Sequence, residues 1–137
     1  MIHNFIGEHR FLSNFAPVRV DFEGYSYPTV EHAYQSAKAL DPKERACIRN
    51  AQTAGEAKRL GFEAVIRKDW ESVKVSVMED LLRQKFRQSP YREQLLKTCE
   101  EELVEGNWWN DTFWGVCRGK GQNMLGKLIM KIRAEFK

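Results

Sequence analysis

Helix-start signals recur along this chain at short intervals, and they confine it to a set of short helices. Thr29, directly after Pro28, can cap a helix running to about Leu40. Val30, Ala33, Tyr34 and Ala37 then form an apolar stripe at i, i+3, i+4 and i+7. Asp41-Pro42 is an N-cap followed by a first-turn proline. Thr53-Ala54-Gly55-Glu56 has capping-box spacing, and Gly61 is a natural end for the helix it opens. Asp69 precedes a longer helix from Trp70 to about Arg87, with Val73, Val77, Leu81 and Phe86 near one face. Ser89-Pro90 starts another helix, to about Thr98. The last helix begins near Asn123 and points Leu125, Leu128, Ile129 and Ile132 inward. The β content is small. "VRVDFEGYSYP" (Val18 to Pro28) alternates around Glu23-Gly24 as a hairpin, and Leu103 to Glu105 has the makings of a short strand. The expected class is mainly α (α+β).

No internal repeat, low-complexity segment or linker interrupts the chain, and 137 residues suit one domain with one core. At 42% hydrophobic and 30% charged residues, the composition is that of a globular domain. No apolar run approaches the roughly 20 residues that span a bilayer. The start, "MIHNFIGEHR", lacks the features of a secretory signal. Cys47, Cys99 and Cys117 are too few and scattered for a disulfide framework and lack metal-ligand spacing. A cytoplasmic protein that binds no membrane is expected. The net charge of +3 is compatible with a phosphorylated ligand and lies far from the bias of a dedicated nucleic-acid binder.

Chemistry has three candidate seats. Glu31, Gln35 and Lys38 are spaced i, i+4, i+7, so they share a polar stripe beside the apolar one. Glu31 sits in the first turn, where the helix dipole favours a carboxylate. The stripe is either a solvated helix face or the edge of a pocket in which Glu31 meets developing positive charge. Trp70 is either a large core residue or a stacking platform for a heterocycle. The third seat is "WWNDTFWGVCRGKGQNMLG", Trp108 to Gly126, where three of the four tryptophans fall within seven residues around Asp111. A carboxylate walled by aromatics is partly desolvated and suited to acid–base work. Gly115, Gly119, Gly121 and Gly126 let backbone approach a ligand, Arg118 and Lys120 suit a phosphate, and Asn123 offers a donor and an acceptor. The alternative is an aromatic corner followed by a glycine-rich turn, with Asn123 as a plain cap. "GKGQN" is not a P-loop, and no G-x-S-x-G motif is present.

Five segments, "FLSNF" (11–15), "YPTVEHAYQSAK" (27–38), "WESVKVSVM" (70–78), "NDTFWG" (110–115) and "GKGQNMLG" (119–126), occur in the order seen in the NADAR, or YbiA-like, family. The chain resembles that family from Phe11 to its C-terminus. The resemblance implies a compact, mostly helical domain over residues 1–137 with a small N-terminal hairpin, acting as an N-glycosidase on the bond between ribose C1′ and a ring-attached nitrogen. It implies substrates of two kinds. One is the ribosylamino-pyrimidine 5′-phosphates of riboflavin biosynthesis. The other is ADP-ribosylated guanine in nucleic acid, which would bring transient nucleic-acid contact. A non-catalytic ADP-ribose or nucleotide-binding module is the rival reading.

The family pattern puts its functional group at Glu31, Trp70 and Asp111. Asn14 and Phe15 of "FLSNF", with Gln35, Lys38, Trp114, Arg118, Lys120 and Asn123, make up the expected substrate-binding set. Trp70 and Trp114 would sandwich the base, and Lys38, Arg118 or Lys120 would hold phosphate. No metal or organic cofactor is called for, because water is the second substrate. The chain departs from the family pattern at Tyr27, where Trp is common before the proline, and at Val116-Cys117-Arg118, where a longer glycine-rich loop is familiar. The second departure bears on substrate choice.

Overall fold

The computed structural model describes residues 1–137. Its α+β architecture is mainly helical, and its contacts resolve it into two units, Asn14–Lys85 and Met1–Ser13 with Phe86–Lys137.

The first unit opens with an antiparallel hairpin, β1 (Pro17–Phe22) and β2 (Tyr25–Thr29). Val20 pairs with Tyr27 and Phe22 with Tyr25, so only Glu23 and Gly24 form the loop. Both have positive φ (48° and 86°), the type I′ geometry whose twist matches paired strands. Val18 and Val20 face inward while Arg19 and Asp21 face out, as a period of two requires.

Strand β2 runs directly into α1 (Val30–Lys38) through Thr29. The Thr29 hydroxyl accepts the His32 N–H at 3.0 Å and lies 2.7 Å from His32 Nδ1. His32 Nε2 donates to the Ala51 carbonyl at 3.0 Å, so this buried histidine ties the strand–helix junction to the loop before α3. Asp41 caps α2 (Pro42–Arg49), and Thr53 caps α3 (Ala54–Glu63) by accepting the Glu56 N–H. Ala39, Ile48, Ala51, Ala57 and Ala64 form a core cluster here, and the small side chains of its four alanines let α1, α2 and α3 pack closely. Gly61 does not end α3. The helix continues to Glu63, and Gly61 lies under the Gln35 side chain.

The longest helix, α4 (Trp70–Phe86), buries Trp70, Met78, Leu81, Leu82 and Phe86, with Val73 and Val77 half-buried. The Asp69 carboxylate pairs with the Arg67 guanidinium through two bonds, at 2.6 and 2.9 Å. Lys85 is completely buried, and desolvation lowers its pKa to about 7.

The second unit contains a 3-10 helix (Gly7–Leu12), α5 (Tyr91–Leu96) with Pro90 at its N-cap, and α6 (Met124–Glu135). Two short strands, β3 (Gly106–Asn107) and β4 (Val116–Cys117), pair in parallel. The strand expected at Leu103 to Glu105 is displaced. Leu103 forms a single parallel bridge with Ile2, and the ladder starts at Gly106. Leu125, Leu128, Ile129 and Ile132 of α6 are buried as their spacing predicts. Buried Arg133 donates to the Thr98 hydroxyl at 2.8 Å. No helix is long and apolar enough to cross a membrane.

Candidate active site

The singled-out residues fall into two groups, one in each unit. In the first unit, α1 is buried along Val30–Ala37, its polar positions included. Glu31 is 7% exposed and Gln35 6%, so the solvated-face reading of this stripe is overturned. An ionised carboxylate is costly to bury without donors around it. Gln35 supplies one: its Nε2 donates to Glu31 Oε2 at 2.7 Å. Lys38 lies one turn further on and is half-buried. Burial lowers the Lys38 pKa, and the negative charge of Glu31 opposes that shift, so the two charges feel each other along the helix.

Asn14 and Phe15 are half-buried at the start of the same unit. The Asn14 carbonyl accepts the Glu31 N–H at 3.1 Å, satisfying a donor that the first turn of a helix leaves open. Its side-chain Nδ2 lies 3.6 Å from Met78 Sδ, while its Oδ1 is buried without a hydrogen-bond partner. Trp70 is 5% exposed and packs on Tyr34, with ring centroids 5.1 Å apart and planes at 57°. Tyr27, at the position where the family favours Trp, is likewise buried, and its hydroxyl bonds Ser36 Oγ at 2.9 Å. It braces α1 against the hairpin.

In the second unit Asp111 anchors a tight loop. Its Oδ1 accepts the Phe113 N–H at 3.1 Å and the Trp114 N–H at 2.9 Å. Asn107 closes the loop from β3: its Oδ1 accepts the Asp111 N–H and its Nδ2 donates to the Asp111 carbonyl, at 3.0 and 2.9 Å. Two backbone amides therefore solvate one oxygen of a half-buried carboxylate. Of the tryptophans, Trp114 is half-buried edge-on to Phe113, whereas Trp108 is 81% exposed and Trp109 43%.

Arg118 and Lys120 stand exposed on a turn closed by reciprocal Cys117–Lys120 backbone bonds, with Arg118 and Gly119 at positive φ (52° and 77°). The other glycines admit protein rather than ligand. A Cβ on Gly115 would strike Glu105 and lie 2.7 Å from Asn107 Nδ2, and one on Gly126 would lie 2.6 Å from Asn123 Oδ1. Asn123 adopts a left-handed conformation and makes no side-chain cap. Its amide instead joins the Glu105 N–H and the Leu103 carbonyl, both at 2.9 Å, so its polar ends are committed to the backbone.

A model of the NADAR domain matches residues 4–137. The chain belongs to the NADAR domain family. N-glycosidase YbiA of Escherichia coli is 42% identical over 128 residues, covering 90% of this chain and 79% of that protein. The NMR structure of E. coli YbiA superposes with a TM-score of 0.85 at 39% identity, over 98% of this chain and 84% of that one. The riboflavin biosynthesis protein VVA0006 of Vibrio vulnificus is 37% identical over 93% of this chain, which matches 36% of its length. This NADAR protein is an N-glycosidase by that relationship.

Residues outside the expected set organise each of the two groups in this NADAR protein. Asn107 lies outside the quoted motifs, and His32, though inside the 27–38 segment, has a partner, Ala51, that only the tertiary fold sets. Lys85 likewise lies outside every quoted motif. A cavity of about 450 Å³, lined by Glu23, Leu40, Arg45, Arg67, Lys68 and Asp69, involves none of the expected site residues. Arg45 pairs there with Glu23 and Arg67 with Asp69.

Proposed function

We propose that this N-glycosidase hydrolyses the C1′–N bond of a ribosylated heterocycle carrying a 5′-phosphate, of the ribosylamino-pyrimidine type found among riboflavin-pathway intermediates, and that residues 1–137 act as one catalytic domain. Breaking this bond develops oxocarbenium-like charge on the ribose, and a carboxylate held nearby lowers that barrier. The observation that carries the reading is a buried Glu31 that accepts a hydrogen bond from Gln35 and shares its helix with half-buried Lys38. Glu31 is the group that stabilises the cation or activates water. Asp111 is the second carboxylate, Trp70 and Trp114 are the aromatic groups suited to the base, and Asn14 and Phe15 suit the sugar side. Lys38, Arg118 and Lys120 suit the phosphate, and Asn123 ties the start of α6 to the Leu103–Glu105 backbone. The riboflavin link rests on the relative from V. vulnificus and is the reason for favouring a pyrimidine phosphate.

The second reading, removal of ADP-ribose from guanine in nucleic acid, is favoured by one observation. Trp108 and Trp109 are exposed and stand edge-to-face at 5.4 Å, and their neighbour Asn110 meets Cys117, the base of the Arg118 turn. Exposed indoles beside cations suit stacked bases and phosphates.

Incubation with a ribosylamino-pyrimidine phosphate, and separately with an ADP-ribosylated guanine oligonucleotide, tests both readings through release of ribose 5-phosphate or ADP-ribose. The first substrate is expected to turn over. Glu31→Gln is expected to lower kcat by ~10²–10⁴-fold with the fold intact. Release of neither product overturns the hydrolase reading, and full activity in E31Q removes Glu31 from the mechanism.

A further inference from the structure

Gln35 occupies an unusual seat. It is buried to 6% exposure on α1, and its Nε2 reaches Glu31 Oε2 at 2.7 Å. Its Oε1 is buried without a hydrogen-bond partner. What holds the carboxamide is therefore steric. The side chain lies over Gly61 of α3, where a Cβ would collide with Oε1 and come within 2.7 Å of Cδ and 2.8 Å of Gln35 Cβ. The Cβ contact is decisive, because that atom is fixed by the α1 backbone and no rotamer change relieves it. Only glycine at position 61 lets α3 come this close to α1.

From this geometry we infer that Gln35 is a positioning residue: Gly61 of α3 seats its carboxamide, and the carboxamide sets the orientation of the Glu31 carboxylate. Gln35 thus acts through Glu31, with one polar end turned to Gly61 and the other already donating to the carboxylate. The inference rests on the reading of Glu31 as the reactive carboxylate for its kinetic consequences, but the physical coupling between the side chains exists whatever the reaction. Lys38 is the charged group whose field also reaches Glu31, and it stays unchanged in every variant below.

The test compares wild type with Gln35→Ala, Gln35→Glu and Gly61→Ala, in two arms. In the kinetic arm, Q35A is expected to lower kcat by ~10-fold or more while KM stays within ~3-fold, because the lost interaction orients a catalytic group and does not hold substrate. In Q35E two carboxyl groups meet at the former amide contact and compete for one proton. The acid limb of the kcat–pH profile should then move up by about one unit or more. G61A should lower kcat by displacing the Gln35 side chain, and because alanine at position 35 keeps the Cβ that a methyl at 61 would meet, the double variant should fall at or below the kcat of Q35A.

In the second arm, the Glu31 carboxyl carbon is followed by NMR through a pH titration, with no substrate present. Its titration midpoint should rise in Q35A and further in Q35E, since a donor to the charged form has been removed or replaced. A Q35A variant that raises KM and spares kcat overturns the proposal in favour of substrate contact. An unchanged Glu31 resonance and midpoint in both Gln35 variants overturns it whether or not G61A folds. If wild type proves inactive on every substrate, the hydrolase reading falls and the NMR arm alone decides the positioning role.

Discussion

Lys85 shows how one side chain's surroundings set a property of the whole chain. It is fully buried, and desolvation lowers its pKa from 10.5 to about 7. In the unfolded chain the group titrates near its ordinary value, so between about pH 7 and 10 the unfolded state holds a proton that the folded state has released. Stability then rises with pH across that window, by up to about 1.4 kcal/mol per unit for one fully displaced proton. Below about pH 7 both states are protonated and the cost of the buried charge is present in full. Lys85→Met removes the titration and keeps most of the side-chain volume. Denaturant melts at a series of pH values should show wild type gaining on K85M from pH 7 to pH 9. Parallel curves would mean that Lys85 stays charged in the folded protein. Nothing in the sequence marks this lysine, since its position on α4 differs from that of Lys74 only in what covers it. Glu31 was legible as a first-turn carboxylate, yet its burial follows from packing around α1 and could not be read from spacing.

At the scale of elements, the readable features were local ones. The I′ turn at Glu23-Gly24 and the caps at Thr29, Asp41 and Thr53 depend on neighbours within four residues, and each formed where its residue types predict. Two expectations failed on partners distant in the chain: Gly61 as a helix stop, and the strand at 103–105. Gly61 serves a close approach to Gln35, and Asn123 bonds the Leu103–Glu105 backbone, neither of which local sequence shows. Thr29→Ala removes both the cap on α1 and the partner of His32 Nδ1. It should cost about 1–2 kcal/mol in unfolding free energy, with Thr29→Ser recovering more than half, as urea titrations would show. The Asp111 loop permits a sharper separation of shape from chemistry. Asn at 111 keeps an oxygen that can accept the Phe113 and Trp114 N–H bonds, whereas Ala loses both. If Asp111 works as a carboxylate, D111N and D111A are both inactive, by ~10²-fold or more, although D111N keeps the loop. Activity surviving in D111N alone would make Asp111 a loop anchor, and near-wild-type chemical shifts for the Trp114 amide in D111N would establish that the loop is retained.

For the whole molecule, charge was the most readable property and the distribution of that charge the least. The sequence carries 22 basic and 19 acidic residues, a bias too small to attract a polyanion strongly. The structure narrows this further, because several cations are paired within the chain: Arg45 with Glu23, Arg67 with Asp69, Lys74 with Glu71 and Arg83 with Glu79. Arg118 and Lys120 remain exposed on their turn. This arrangement makes the salt dependence of catalysis a discriminator between the two substrate classes. A substrate with one phosphate monoester is held by one or two cations, so log KM should rise with log salt at a slope of about 1 or less. A single-stranded oligonucleotide that engages several phosphates releases about 0.7 counterions for each, and four or five contacts would give a slope near 3. Steady-state KM measured from 0.05 to 0.5 M KCl on each active substrate therefore reports how many phosphates the protein grips. A shallow slope on the pyrimidine phosphate, with weak and equally shallow turnover of the oligonucleotide, is the outcome that fits a near-neutral chain. A slope near 3 with efficient oligonucleotide cleavage would show that the exposed indoles and the Arg118 turn act as a polyanion-binding surface, and would reverse the ranking of the two readings.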